Sequence, residues 1–194
     1  MNMHPTDKAA RAEAERREDA TPVLVKVHPG VFLGNLAAAV DAGTLARQGI
    51  TQTLNLAVNA DPPPLTLPDG TLVRRAKIGL IDGPGNHPVH LAAAVLAIEG
   101  MLAQTAPGKP SYGAHRPGPL LVHCRGGRSR SVVVTALWLA RTDPRAWAEA
   151  TEAVEMLRRL RNLGPEQPDA AMLAAMEGAR RLLAPMPTAL ATDP

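Results

Sequence analysis

Apolar positions along this chain fall into short continuous runs and longer stretches at helical spacing. Pro22-Val23-Leu24-Val25-Lys26-Val27 and Val31-Phe32-Leu33 are β-type runs, split by the turn signal His28-Pro29-Gly30. Leu36, Val40 and Leu45 lie on one side of a predicted helix over 36–48, which Gly49 stops. Thr51 to Leu56 and Thr71 to Ile78 read as strands, joined by a loop from Asp61-Pro62-Pro63-Pro64 to Asp69-Gly70. Gly79 to Asn86 is another loop, rich in Gly and Pro, and a helix is expected over 89–102. Residues 105–119 carry four prolines and three glycines, which makes them a long surface loop. Leu120-Leu121-Val122 reads as a buried strand. Helices at 130–141, 145–161 and 169–183 follow, separated by Asp143-Pro144 and Gly164-Pro165.

Strands alternating with helices, then a helical last third, predict an α/β fold with a central, mostly parallel sheet flanked by helices. The 194 residues suit a single domain. Its expected bounds are 21–184. The charged, Ala-rich residues 1–20 read as a disordered arm, and 185–194 as a tail.

Composition narrows the classes. Hydrophobic residues make up 45% but aromatics only 2%, so Ala, Leu and Val must fill the core. A net charge of +3 is too small to argue for nucleic acid, which is not expected as a partner. Its distribution says more: from Gly100 through Thr142 there is no Asp or Glu, while Lys109, Arg116, Arg125, Arg128, Arg130 and Arg141 all fall there. Such a field favours an anionic ligand. A lone cysteine excludes an internal disulfide and fits a reducing compartment. The mixed-charge N-terminus lacks a secretory h-region, and no apolar run nears the roughly 18 residues of a membrane span. A cytoplasmic location without integral membrane association is the expectation; oligomeric state is not legible.

That cysteine sits in His123-Cys124-Arg125-Gly126-Gly127-Arg128-Ser129-Arg130-Ser131, between the strand at 120–122 and the helix from 130. A loop placed there turns backbone N–H groups inward, and the helix adds its free N–H groups and positive dipole end. Gly126 and Gly127 permit the close approach that such a cradle needs. The geometry suits a phosphate or sulfate dianion, and Arg130 can fork onto two of its oxygens. The same field favours thiolate over thiol at Cys124, the nucleophilic form. A thiolate on the floor of an anion cradle can attack phosphorus in line. Ser131, or the Ser129 hydroxyl, can donate to the sulfur and help it leave in a second step. Read merely as a small buried hydrophobe, Cys124 would leave three arginines and two glycines within six residues unexplained.

His123-Cys124-x-x-Gly127-x-x-Arg130-Ser131 resembles the signature loop of the cysteine-dependent protein tyrosine phosphatases, specifically their dual-specificity branch. Val31-Phe32-Leu33-Gly34-Asn35 is similar to that family's early I-Y-L-G strand, Leu54-Asn55-Leu56 to its V-L-N-V strand, and Leu157 to Met172 to its terminal R…P-N…F-L helix pair. The likeness covers roughly residues 22–180, with Asn162 where the family often has Pro.

Expulsion of an alkoxide needs a proton, and hydrolysis then needs a base; one carboxyl can serve both. The family places an Asp on a loop upstream of the signature, and Asp82 in Ile78-Gly79-Leu80-Ile81-Asp82-Gly83-Pro84-Gly85-Asn86 is the match. Asp61 and Asp69 compete for the role, but their Pro and Gly neighbours mark turns. Asn86 is expected either to order the Asp82 loop or to cap the next helix. The resemblance gives His123 the task of orienting the loop through hydrogen bonds and implies no cofactor and no metal. No His pair has convincing ligand spacing: His87 and His90 come nearest, and a helix-capping role fits them better. Arg158, Arg159 and Arg161 read as a solvated helix face.

Substrate class stays open at this level. Arg125 and Arg128 resemble the paired cations by which phosphoinositide-selective members hold further phosphates. Three readings stand: a dual-specificity protein phosphatase acting on phosphoproteins, a phosphatase of an inositol phosphate, phosphoinositide or other polyphosphorylated small molecule, and a phosphate-binding pseudophosphatase.

Overall fold

The computed structural model describes Glu13, Arg17 and residues 19–104 and 111–186. Most of the 1–20 arm, part of the 105–119 loop and nearly all of the 185–194 tail lie outside the described residues.

Five strands form one sheet in the order β1-β2-β5-β3-β4. They are β1 (Leu24–His28), β2 (Val31–Gly34), β3 (Gln52–Ala57), β4 (Arg74–Leu80) and β5 (Leu120–His123). β1 folds back antiparallel on β2, and the other three pairings are parallel. The expected mostly parallel sheet is therefore present, with one antiparallel edge strand.

Among the described residues, six helices have both ends defined: α1 (Leu36–Val40), α2 (Ala42–Arg47), α3 (Pro88–Ala103), α4 (Arg130–Thr142), α5 (Ala150–Arg161) and α6 (Ala170–Leu183). The last four cover one face. Val31, Leu33, Leu54, Leu56, Leu120 and Val122 point into the core that α3 to α6 complete. Phe32 and Leu121 point the other way, into a smaller core with Ala38, Ala39, Leu45 and Ile50. Burial on both faces is why β2 and β5 read as unbroken apolar runs.

Two helix predictions need correction. The helix over 36–48 is two short ones, because Asp41 ends α1 and caps α2. Its Oδ1 accepts from Thr44 N at 3.0 Å and its Oδ2 from the Thr44 hydroxyl at 2.8 Å. The helix expected from 145 starts at Ala150. Asp143 Oδ1 accepts from Ala146 N at 3.1 Å and holds the intervening residues in a turn. α5 ends at Asn162, whose φ of 51° is left-handed. A proline ring cannot adopt that torsion, so the family's Pro would be incompatible with this helix end.

Candidate active site

Central strand β5 sets the site. Gly34, His123 and Asn55 lie side by side at the carboxyl ends of β2, β5 and β3. Beyond that edge of a parallel sheet is where α/β folds place ligands. The 124–129 loop leaves there and runs straight into α4, whose first residue is Arg130. Leu36 N donates to Arg125 O at 3.0 Å, which fastens the loop to α1.

Cys124 and Ser131 face each other across the loop, with Sγ and Oγ 3.3 Å apart. Gly127 N–H donates to the same sulfur at 3.3 Å. Gly127 has φ +69°, and an added Cβ would stand 2.7 Å from Gly34 O. Only glycine fits that turn.

Arg130 is buried beneath the loop. Its Nη2 donates to Asp82 Oδ2 at 3.1 Å, and its Nη1 reaches Asn59 Oδ1 and Leu80 O, both at 3.4 Å. Nε of Arg130 and the Ser129 hydroxyl are buried without a hydrogen-bond partner among the described residues. Donors left in that state, beside a loop whose Gly127 N–H turns toward the sulfur, are a fit for oxyanion oxygens.

A cavity of about 210 Å³ opens over the sulfur. Asp82, Cys124, Gly126, Arg128, Ser129 and Asp169 are among its walls. Of the three aspartates considered for the acid, Asp82 alone reaches it. Asp61 pairs with Lys77 at 2.5 Å, and Asp69 accepts from Thr71 N and from Arg116 Nε. Those contacts hold the Asp69 carboxyl below the usual carboxylate range, the Thr71 amide contributing most. Asn86 settles its own alternative in favour of the Asp82 loop. It accepts from Ile81 N at 2.9 Å and donates to Ile81 O and Gly83 O, while His87 Nδ1 caps α3 through Val89 N.

His123 is fully buried, its Nδ1 3.4 Å from Cys124 O. Burial pushes its pKa down to about 4, against the pull of that carbonyl and with help from the Arg75 charge. The ring is therefore neutral near pH 7.

Three residues that sequence reasoning missed belong to this site. Arg161 is not solvated; it is buried, and its Nε and Nη2 donate to Gly127 O at 3.2 Å and Gly126 O at 3.3 Å. It holds the carbonyls of the Gly-Gly turn on the outer side of the loop. Asp169 caps α6 through Met172 N at 2.8 Å and lines the cavity beside the Asp82 loop, its Oδ2 3.2 Å from where a Cβ on Gly83 would stand. Asp19, expected in the disordered arm, is helical and pairs with both Arg128 and Arg125. Among the described residues, no three His, Cys, Asp or Glu side chains gather as a metal site.

No family model matches the chain. Comparison with individual proteins is decisive. The sequence is 32% identical over 158 residues to human dual specificity phosphatase 28, spanning 79% of this chain and 80% of that protein. The chain belongs to the dual specificity phosphatases. The crystal structure of human DUSP28 aligns with a TM-score of 0.63 at 26% identity, over 84% of this chain and 97% of that one. A mouse dual specificity phosphatase complexed with zinc tungstate aligns with a TM-score of 0.63 at 26% identity, over 86% of this chain and 91% of that one. The resemblance drawn from the loop thus holds for the whole fold, and the protein is a cysteine-dependent phosphatase. No helix among the described residues is long and apolar enough to cross a membrane.

Proposed function

We propose that this phosphatase removes phosphate from protein tyrosine, serine and threonine side chains through a phosphocysteine at Cys124. Residues 21–184 form the catalytic domain in this reading. A phosphate enters with its oxygens on the backbone N–H groups of 125–130 and on the Arg130 guanidinium. The Cys124 thiolate attacks phosphorus, an S–P bond forms, and the P–O bond to the leaving group breaks. Asp82 gives its proton to the departing oxygen. Water then attacks phosphorus, Asp82 takes the proton back, and the S–P bond breaks to release inorganic phosphate. The Ser131 hydroxyl donates to the departing sulfur. Arg125, Gly126, Gly127, Arg128, Ser129 and His123 shape the cradle.

One observation supports dual specificity above all: what lines the cavity. None of the chain's aromatic residues, Phe32, Tyr112, Trp138 and Trp147, is among the cavity's walls. Without an aromatic wall, nothing there selects a phenyl ring over a shorter aliphatic side chain. The polyphosphate reading is disfavoured because the two arginines it depends on, Arg125 and Arg128, already share Asp19. Similarity to a relative crystallised with tungstate, an oxyanion of phosphate-like shape, agrees with a phosphate cradle. A lone reduced thiol fits action in the cytoplasm.

Release of inorganic phosphate from matched phosphotyrosine, phosphothreonine and phosphoserine peptides tests the proposal, with Cys124→Ser as control. Turnover on both aromatic and aliphatic esters, lost in the variant, is expected. Turnover confined to polyphosphorylated small molecules would overturn it.

A further inference from the structure

Two arginines of the loop converge on one carboxylate. Asp19 Oδ1 lies 2.9 Å from Arg128 Nη2, and Asp19 Oδ2 lies 3.5 Å from Arg125 Nε. The pair with Arg128 is shielded, with side chains 16% and 15% exposed, whereas Arg125 is 57% exposed. It lies across Gly126: a Cβ there would stand 2.6 Å from Arg128 Cζ and 2.7 Å from Asp19 Oδ1. Gly126 and Arg128 both wall the cavity over Cys124.

The segment carrying Asp19 is fastened in place. Asn35 Nδ2 donates to Thr21 O at 2.7 Å, and Asn35 Oδ1 accepts from Val23 N at 3.0 Å. Asn35 also caps α1, which is bonded to the loop through Leu36 N and Arg125 O. The carboxylate is thus held by the same frame that holds the arginines.

We infer that Asp19 is a selectivity residue: by engaging Arg125 and Arg128 it confines the site to substrates presenting a single phosphate. This rests on the phosphatase reading above. A first phosphate over Cys124 is served by backbone N–H groups and Arg130, whereas the ion pairs of Asp19 are with Arg125 and Arg128. A second phosphate within reach of Arg128 meets a guanidinium already paired, and a carboxylate of its own sign beside it. Asp169, also in the cavity lining, adds to that repulsion. Neutralising Asp19 removes a negative charge from beside Arg125 and Arg128 and leaves the Cys124 floor of the site as it is.

The experiment compares Asp19→Asn, nearly isosteric, with the natural protein on one peptide carrying one phosphate or two on neighbouring residues. The ratio of kcat/KM for the doubly over the singly phosphorylated form is expected to rise about tenfold or more, the scale of one charge-assisted contact. A binding arm uses Cys124→Ser protein and measures pyrophosphate against inorganic phosphate by calorimetry. Asp19→Asn in that background is expected to favour pyrophosphate by a similar factor. Adding Arg125→Gln and Arg128→Gln is expected to erase the gain. A ratio changed less than twofold, or a gain that survives loss of both arginines, overturns the inference. Asp19→Ala repeats the comparison, and melting curves confirm that each variant is folded. Absence of turnover on every ester would retract the catalytic reading alone, since the binding arm still decides the role of Asp19.

Discussion

Asp82 Oδ2 stands 3.1 Å from Arg130 Nη2, a contact between a side chain 62% exposed and one 2% exposed. The buried guanidinium anchors an otherwise solvated carboxylate at the mouth of the cavity over Cys124. A bound phosphate and Asp82 therefore draw on the same guanidinium. Asp82→Asn is expected to slow hydrolysis of alkyl phosphates by about 10²–10⁴. An activated aryl ester, whose leaving group needs no proton, should lose far less. Vanadate affinity is expected to rise in the same variant, because a competing negative charge has gone. Equal losses on both esters would take the acid role from Asp82 and pass it to Asp169, the other carboxylate in the cavity.

The 3.3 Å approach of Ser131 Oγ to Cys124 Sγ bears on the second step of the proposed phosphocysteine route. A hydroxyl that donates to the sulfur stabilises the thiolate as it leaves phosphorus. Ser131→Ala is expected to slow breakdown of the phosphocysteine by about tenfold, roughly 1.4 kcal/mol. Rapid quenching should then show a burst of leaving group, with phosphoenzyme accumulating. A variant that loses rate with no burst would place the serine in the first step instead.

The parts of this site that were legible in the sequence are those built from neighbours along the chain. Cys124 to Ser131 is one strand–loop–helix turn, so its chemistry survives without knowledge of the fold. Asp82 needed the family resemblance, because an Asp before Gly-Pro is otherwise a turn former. Arg161, Asp169 and Asp19 escaped because each comes to the site from a distant segment. Helical periodicity gives α5 a charged face, but it does not say that the Gly126-Gly127 turn covers one arginine of it. Asp41 is different: Asp41-x-x-Thr44 is a local capping signal inside a helical pattern, and the apolar spacing of Leu36, Val40 and Leu45 masked it.

Burial of His123 ties stability to pH. Its folded pKa of about 4 lies below its ordinary 6.5, so between those values the unfolded chain binds a proton that the native state does not. The contribution is present in full above 6.5 and is lost as pH falls through that window, to a total of about 3 kcal/mol. Urea unfolding at pH 7.5, 6 and 5 is expected to show the decline. His123→Gln removes the titrating group and should flatten that part of the profile. An unchanged slope in the variant would assign the decline to other groups.

Arg161 supports the cradle from behind. Its two bonds keep the carbonyls of Gly126 and Gly127 away from the cavity, where they would repel an anion. Arg161→Met keeps the side chain's bulk and apolar stem but leaves both carbonyls without these donors, which should cost about 2–4 kcal/mol of stability. A structural role alone would stop there. If Arg161 positions the loop, protein that remains folded at low temperature should also bind vanadate more weakly, with kcat/KM down about ten- to a hundredfold. Arg161→Lys returns the charge but offers a single ammonium in place of the planar fork, so it should recover only part of that loss. Complete recovery by lysine would mean that charge near the loop suffices; unaltered vanadate affinity in the methionine variant would confine Arg161 to holding the fold together.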